Sequence, residues 1–241
     1  MVGREIYLQD KAGAIGADVL MARLKTLEGQ GLGGYLALRK GDEAGQPLPT
    51  FVVCFFSDES EPHIRYEVNV PTERGKRPSL DAVDPPRRVP EPLAKLIRAR
   101  KTAIEAAGPF DHAVNPVVLP DPDGILVYVL AAPTRPKTIV LGKHYRVVVG
   151  TDGAAKTVEP LSKSALELST VAPDGSQPKA LFVTQIVTAY PLETHVAASL
   201  TAHLPIYVAT SRGLWSVEGD SISYVSEQIP DAMNKTIAPS Q

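Results

Sequence analysis

The chain has 241 residues, 44% of them hydrophobic and 22% charged, with a formal net charge of −2. That length accommodates one large domain or two small ones with a real core, and the near-neutral charge argues against a molecule that coats nucleic acid as a whole. A single cysteine, Cys54, excludes an internal disulfide, and the longest apolar run, "ILVYVLAA" at 125–132, is too short to cross a bilayer as a helix.

Taken in chain order, Ile15, Val19, Leu20, Leu24 and Leu27 recur at helical spacing and predict a first helix near 12–28. The glycine cluster "GQGLGG" (29–34) follows that helix and precedes the strand-like "YLALRK". A phosphate-binding loop needs the reverse order, strand then helix, so the cluster reads as a helix end and a turn. "FVVCFFS" and "HIRYEVNV" read as strands. The apolar neighbours of Cys54 predict a buried, inert thiol, and no polar partner is evident beside it. In the second strand Ile64, Tyr66, Val68 and Val70 alternate with His63, Arg65, Glu67 and Asn69, which puts His63 on the solvent side.

Residues 71–92 contain six prolines and read as a linker or extended surface loop between an N-terminal half (1–70) and a mainly β C-terminal half (93–228). The window from Arg74 to Lys101 holds nine Lys or Arg against Asp81, Asp84 and Glu91. No aromatics interleave these charges as a single-strand binder would require, so the segment reads as a solvated loop plus one helix face. The helix spans 92–107, with Leu93, Leu96, Ile97 and Ile104 as its stripe and Gly108 beyond its end.

The remainder is rich in strands. "PVVLP" and "ILVYVLAA" flank the turn signal "DPDG", whose two aspartates lack the other ligands of a calcium loop. "TIVLGKHYRVVVG" and "AAKTVEPL" flank "TDG" as a hairpin, and "KALFVTQIV" is a further strand. In "GKHYRV", His144 and Arg146 share one face while Tyr145 points the other way. Two such residues bind a carboxylate or phosphate, or sit on the wet side of a sheet. A tail, 229–241, lacks periodicity.

Residues 190–225 are the most organised stretch. Leu192, Val196, Leu200 and Leu204 repeat every four and predict a helix over 192–203, closed by Pro205 and followed by the hairpin "IYVAT"–"SRG"–"LWSVEG". Glu193, His195 and His203 lie on it, but the histidines are eight apart and a zinc-protease helix spaces them four apart around a glutamate. The expectation is surface or partly buried helix histidines, with no bound metal and no cofactor. No G-x-S-x-G elbow or Ser-x-x-Lys pair is present.

In its order of parts, "ALFVTQIV"–"TAYP"–"LETH"–"PIYVAT" over residues 95–225 resembles the JAB/MPN metallopeptidase-type domains. The resemblance places Thr188 and Tyr190 where those domains carry two histidine ligands, Leu192 at a serine and His195 at an aspartate. It implies a degenerate copy without metal-assisted hydrolysis, since threonine and tyrosine do not replace two imidazoles around zinc. "NPVVLP", "GKHYRVVV" and "LPIYVATSRGLWSVEGDSI" resemble stretches of uncharacterised bacterial proteins, many of which carry export signals.

The expected fold is α+β, a mostly antiparallel sheet flanked by helices near 12–28, 92–107 and 192–203 in one globular unit. The expected function is a non-catalytic binding or accessory protein, soluble, with a protein or small ligand as partner. Its contact candidates are Tyr190, Glu193, His195, His144 and Arg146. Two further readings are a metal-dependent hydrolase using His195 and His203 with Glu193, and an anion- or nucleic-acid-binding module on the 74–101 segment. The first thirty residues show no leader pattern, which places the protein in the cytoplasm if Met1 is the native start and in the periplasm or outside if a leader was trimmed. Homo-oligomer formation is open.

Overall fold

The "FVVCFFS" run is apolar on both of its alternating sides because it is an inner strand of a sheet covered on both faces. The computed structural model describes residues 2–40, 50–73, 75–172 and 175–229. Strands β1 (Leu32–Arg39), β2 (Thr50–Ser57), β3 (His63–Pro71) and β4 (Ser79–Arg88) form an antiparallel meander in that order. Phe51, Val53 and Phe55 pack under helix α1 (Val2–Leu24), whereas Cys54 and Phe56 pack under helix α2 (Glu91–Ala107). Cys54 is 4% exposed, as its neighbours predict, but its thiol is not without a partner: Sγ donates to Glu67 Oε1 at 3.8 Å.

A second antiparallel meander lies on the other side of α2. Strands β5 (Val114–Asp121) and β6 (Gly124–Ala131) meet at the "DPDG" turn. A short β7 (Thr138–Val140) leaves this sheet, which continues with β8 (Tyr145–Gly150) and β9 (Ala155–Pro160) in the order β5-β6-β8-β9. Ile125, Val127 and Val129 face α2 together with Leu93, Ile97 and Ala103. Burying each of the larger aliphatic chains contributes about 1.5–3 kcal/mol before entropy is counted, so α2 is held as the shared filling between two sheets. Tyr128 and Leu130 point the opposite way, toward Ile6, Leu192 and Ala197.

The third layer begins with β10 (Glu167–Ser169), which pairs with β7 as a two-stranded ribbon. Strand β11 (Leu181–Thr184) runs into helix α3 (Glu193–Ala202) and then into β12 (Ile206–Thr210), which lies parallel to β11. Strands β13 (Gly213–Glu218) and β14 (Ser221–Ser226) complete the mixed sheet β11-β12-β13-β14. Ile206, Val208 and Val217 pack against Val196, Ala198 and Ala202 of α3.

With three helices and fourteen strands among the described residues, nearly all pairings antiparallel, the fold is α+β. Four details depart from the sequence reading. The strands divide among three four-stranded sheets and a ribbon instead of one sheet fed by both halves. Helix α1 begins at Val2, ten residues before its expected start, and ends at Leu24, where Lys25 takes a left-handed φ of 67°. The segment read as linker or loop contains β4, an exposed edge strand, and an edge tolerates the Pro85–Pro86 pair that an inner strand could not. His195, expected at the surface or partly buried, is 5% exposed, because α3 is covered by the C-terminal sheet, by α1 and by Leu192. The expected tail lies outside the described residues from 230 onward.

No helix among the described residues is long and apolar enough to cross a membrane. In the basic window, Arg87 pairs with Glu67 at 2.5 Å, Arg88 with Glu61 at 3.4 Å, and Arg98 with Glu91. Arg100 is turned inward over the Phe56 ring.

Candidate functional site

The turn after β7 builds the rim of the main cavity. Leu141 and Leu166 exchange both backbone hydrogen bonds, at 2.7 and 3.1 Å, and the Lys143 N–H donates to Ser162 Oγ at 2.8 Å. The loop at 161–166 is thereby drawn against 141–144 so closely that a Cβ at Gly142 would lie 2.0 Å from the Ser164 carbonyl oxygen; Gly142 also has φ +131°. Only glycine fits there. Together with the end of β11 and the first turn of α3, this clip encloses about 360 Å³, within the usual range of small-ligand sites. Its walls are apolar at Leu141, Leu161, Phe182 and Leu192 and polar at Ser162, Thr184, Gln185 and His195.

His144, just before β8, is fully committed. Nδ1 accepts the Ala131 N–H at 3.0 Å and Nε2–H donates to the Val140 carbonyl at 3.1 Å. Those two bonds fix one neutral tautomer. Burial, chiefly, pushes its pKa down to about 4, so it carries no charge at neutral pH.

His195 occupies the third position of α3. Its Nδ1 accepts the Leu192 N–H at 2.9 Å, the task a glutamate or glutamine performs in a capping box. With Nδ1 an acceptor, the proton resides on Nε2, and that N–H has no hydrogen-bond partner among the described residues. The ring lines the 360 Å³ cavity. Burial, and next the neighbouring His144, depress its pKa to about 4, against a smaller opposing pull from Glu193. His195 is thus a neutral ring at the cavity wall, with its proton on Nε2.

Glu193 and Arg146, 47 residues apart, are joined directly. Arg146 Nη1 donates to Glu193 Oε1 at 2.7 Å, while its Nε and Nη2 hold Glu159 Oε2 at 3.0 and 2.7 Å. The buried Tyr128 hydroxyl also donates to Glu193 Oε1. Burial alone would lower the Arg146 pKa, but the Glu159 bond and the Glu193 charge outweigh it and lift it above its ordinary value. Burial, then the bond to Glu193, raises that of Tyr128. The carboxylates that Arg146 binds are the protein's own.

The remaining candidates stand apart. Tyr190 is 54% exposed and packs edge-on against Trp215 at 5.5 Å, which in turn meets Tyr224 at 5.1 Å. Thr188 Oγ1 donates to the Tyr190 carbonyl at 2.7 Å and accepts from Gln185 Nε2 at 3.0 Å. His203 is the exposed left-handed C-cap of α3, at the opposite end of the helix from His195. Among the described residues no three His, Cys, Asp or Glu side chains are grouped as metal ligands.

Sequence reasoning missed Gln185, Ser162 and Lys163, because the loops carrying them meet the cavity only through tertiary contacts. It also missed Asp10, which lines a smaller cavity of about 110 Å³ behind His144 and Thr194. Asp10 Oδ1 is buried without a hydrogen-bond partner, and burial pushes its pKa up to about 6, with Asn115 pulling the other way. Compared with family models, with curated proteins and with solved structures, the chain finds no match.

Proposed function

We propose that the protein is a non-catalytic binding protein that takes a small ligand in the cavity at the N-terminal end of α3. The observation that carries this reading is the His195 ring at the wall of the 360 Å³ space, with Nδ1 held by the Leu192 N–H and Nε2–H without a partner among the described residues. That N–H is open to a ligand acceptor, and a hydrogen bond to it contributes about 0.5–1.5 kcal/mol, more where the acceptor is charged.

The same geometry argues against acid–base work. A general base must be free to accept a proton near neutral pH. The His195 Nδ1 is occupied by a backbone N–H, its Nε2 already carries the proton, and its pKa of about 4 keeps the ring neutral. Ser162 Oγ, the cavity hydroxyl nearest in kind to a nucleophile, donates to the Ser164 carbonyl at 3.0 Å instead of to a base. The parallel β11–α3–β12 unit places the cavity beyond the carboxyl end of β11, where open sheets with parallel strands characteristically bind ligands.

The test is a titration of isotopically labelled protein with four six-carbon probes: hexanoate, hexanamide, hexylammonium and 1-hexanol. Saturable shifts confined to residues 141–144, 161–166, 182–186 and 192–195 are the expected result. No saturable response to any of the four would end the small-ligand reading.

A further inference from the structure

Resting on that binding reading, we infer that the cavity is built for a singly charged carboxylate on a short apolar body, with His195 Nε2–H and the Lys163 ammonium at its head. The charged groups decide the sign. Among the described residues, Lys163 is the only one lining the space with a formal charge at neutral pH, and none of the lining residues is an aspartate or glutamate. Glu193, the nearest acid in sequence, is turned to Arg146 and Tyr128.

The donors decide the headgroup. His195 supplies a neutral N–H at a buried position and Lys163 a cation at the exposed rim. One neutral donor and one cation match two oxygens sharing a single negative charge. A dianionic phosphate has three acceptor oxygens and up to twice the charge, for which the described lining supplies one cation, Lys163. Helix α3 begins at the same place, so its N-terminal partial charge adds to the anion preference without being its basis.

The walls decide the body. Leu141, Leu161, Ala165, Leu166, Phe182 and Ile186 are the apolar lining of the cavity. A space of about 360 Å³ holds roughly a dozen atoms of water size, enough for a chain or ring of six to eight carbons with its carboxylate. Ile186 is 64% exposed, an apolar side chain at the mouth with nothing over it among the described residues.

The experiment compares hexanoate, hexanamide, hexylammonium and inorganic phosphate on the full chain by the same titration, reading the His195 side-chain nitrogens directly. Hexanoate is expected to bind at least about tenfold more tightly than hexanamide and to shift Nε2 while leaving Nδ1 in place, because Nδ1 stays on the Leu192 N–H. Lys163→Glu, at an exposed position, is expected to weaken hexanoate about tenfold or more and leave hexanamide unchanged. His195→Gln retains an acceptor for the helix cap and is expected to weaken hexanoate as well; should it fail to fold, Lys163→Glu still decides. Equal affinity for hexanoate and hexanamide would overturn the carboxylate inference and leave the binding reading standing. Phosphate binding more tightly than hexanoate would overturn the headgroup assignment. Undiminished hexanoate binding by Lys163→Glu would overturn the placement of the head.

Discussion

The core around α2 and the layer around α3 solve the same packing problem with different materials. Around α2 the buried side chains are mostly aliphatic or aromatic, from Leu36 and Phe56 to Val127 and Val147, with the Cys54 thiol against Glu67 and Arg100 turned inward over Phe56 as the polar exceptions among the described residues. Around α3 lie His144, Gln185, Thr194, His195, Ser199 and Thr210, all buried, together with both cavities. Ser199 Oγ alone contacts the Leu204 and Val217 carbonyls and accepts the Gly219 N–H. A dry core derives stability from volume. A polar layer derives it from completed hydrogen bonds and gains selectivity wherever a bond is left for a ligand.

Truncation should separate the two most sharply. Phe56→Ala, in the dry core, is expected to cost about 3–5 kcal/mol, with the same loss at pH 5 and pH 8 by urea unfolding. A loss that varied with pH would break the comparison. Gly142→Ala is expected to cost about 1–3 kcal/mol through strain at the clip and to abolish probe binding, because the 161–166 loop must move off the Ser164 contact. Retained binding at full strength would show that the clip does not shape the cavity.

Acid should then act on the polar layer. His144 and His195 have folded pKa values of about 4 against about 6.5 in an unfolded chain. The folded state therefore binds fewer protons between those values, and their contribution, complete above pH 6.5, is lost as pH falls through 4. His144→Phe is expected to cost about 2 kcal/mol at pH 8, where the Ala131 N–H and Val140 carbonyl lose their partner, and less at pH 4.5. Asp10 runs the other way. Its folded pKa of about 6 lies above the unfolded value of about 3.9, so its favourable contribution is present below pH 4 and lost as pH rises through 6. Asp10→Asn is expected to raise stability by on the order of 1–2 kcal/mol at pH 8 and to leave it unchanged at pH 4. A stabilisation of equal size at both pH values would dissociate the effect from ionisation.

The smallest effect belongs to Cys54. Burial, followed by the Glu67 charge, pushes its pKa up to about 12, and thiol labelling of the native protein should proceed only as fast as the sheet opens. Cys54→Ser should cost under about 1 kcal/mol, since a serine hydroxyl can also donate to Glu67.

What was legible in the sequence is what local pattern encodes. The two-sided apolarity of "FVVCFFS", the "DPDG" hairpin, the boundaries of α2 and the four-residue repeat in α3 all rest on neighbours within a few positions. The first ten residues of α1 were not legible as helix. The buried face there runs Gly3, Ile6 and Gln9, and small or polar residues leave no apolar stripe although a glycine permits close approach. At the site, His195 and Glu193 were legible as candidates, but their roles were not. The Glu193–Arg146 pair spans 47 residues and the rim joins 142 to 164, distances at which a single sequence carries no pairing signal.

Helix α1 has a consequence for how the molecule opens. Its first turn lies on α3, where a Cβ at Gly3 would meet the Glu193 carbonyl at 2.6 Å, and its second half lies on β2, where one at Gly16 would meet Val53 at 2.8 Å. Twenty-three residues make one rod of about 35 Å, with Ile6 in the core beside α3 and Leu20 in the core above β2. Neither end of the protein can breathe far without bending or releasing that rod. The slowest-exchanging backbone amides of α1 should therefore share one opening free energy with those of β2 and α3, and the chain should melt as a single cooperative unit, not as two.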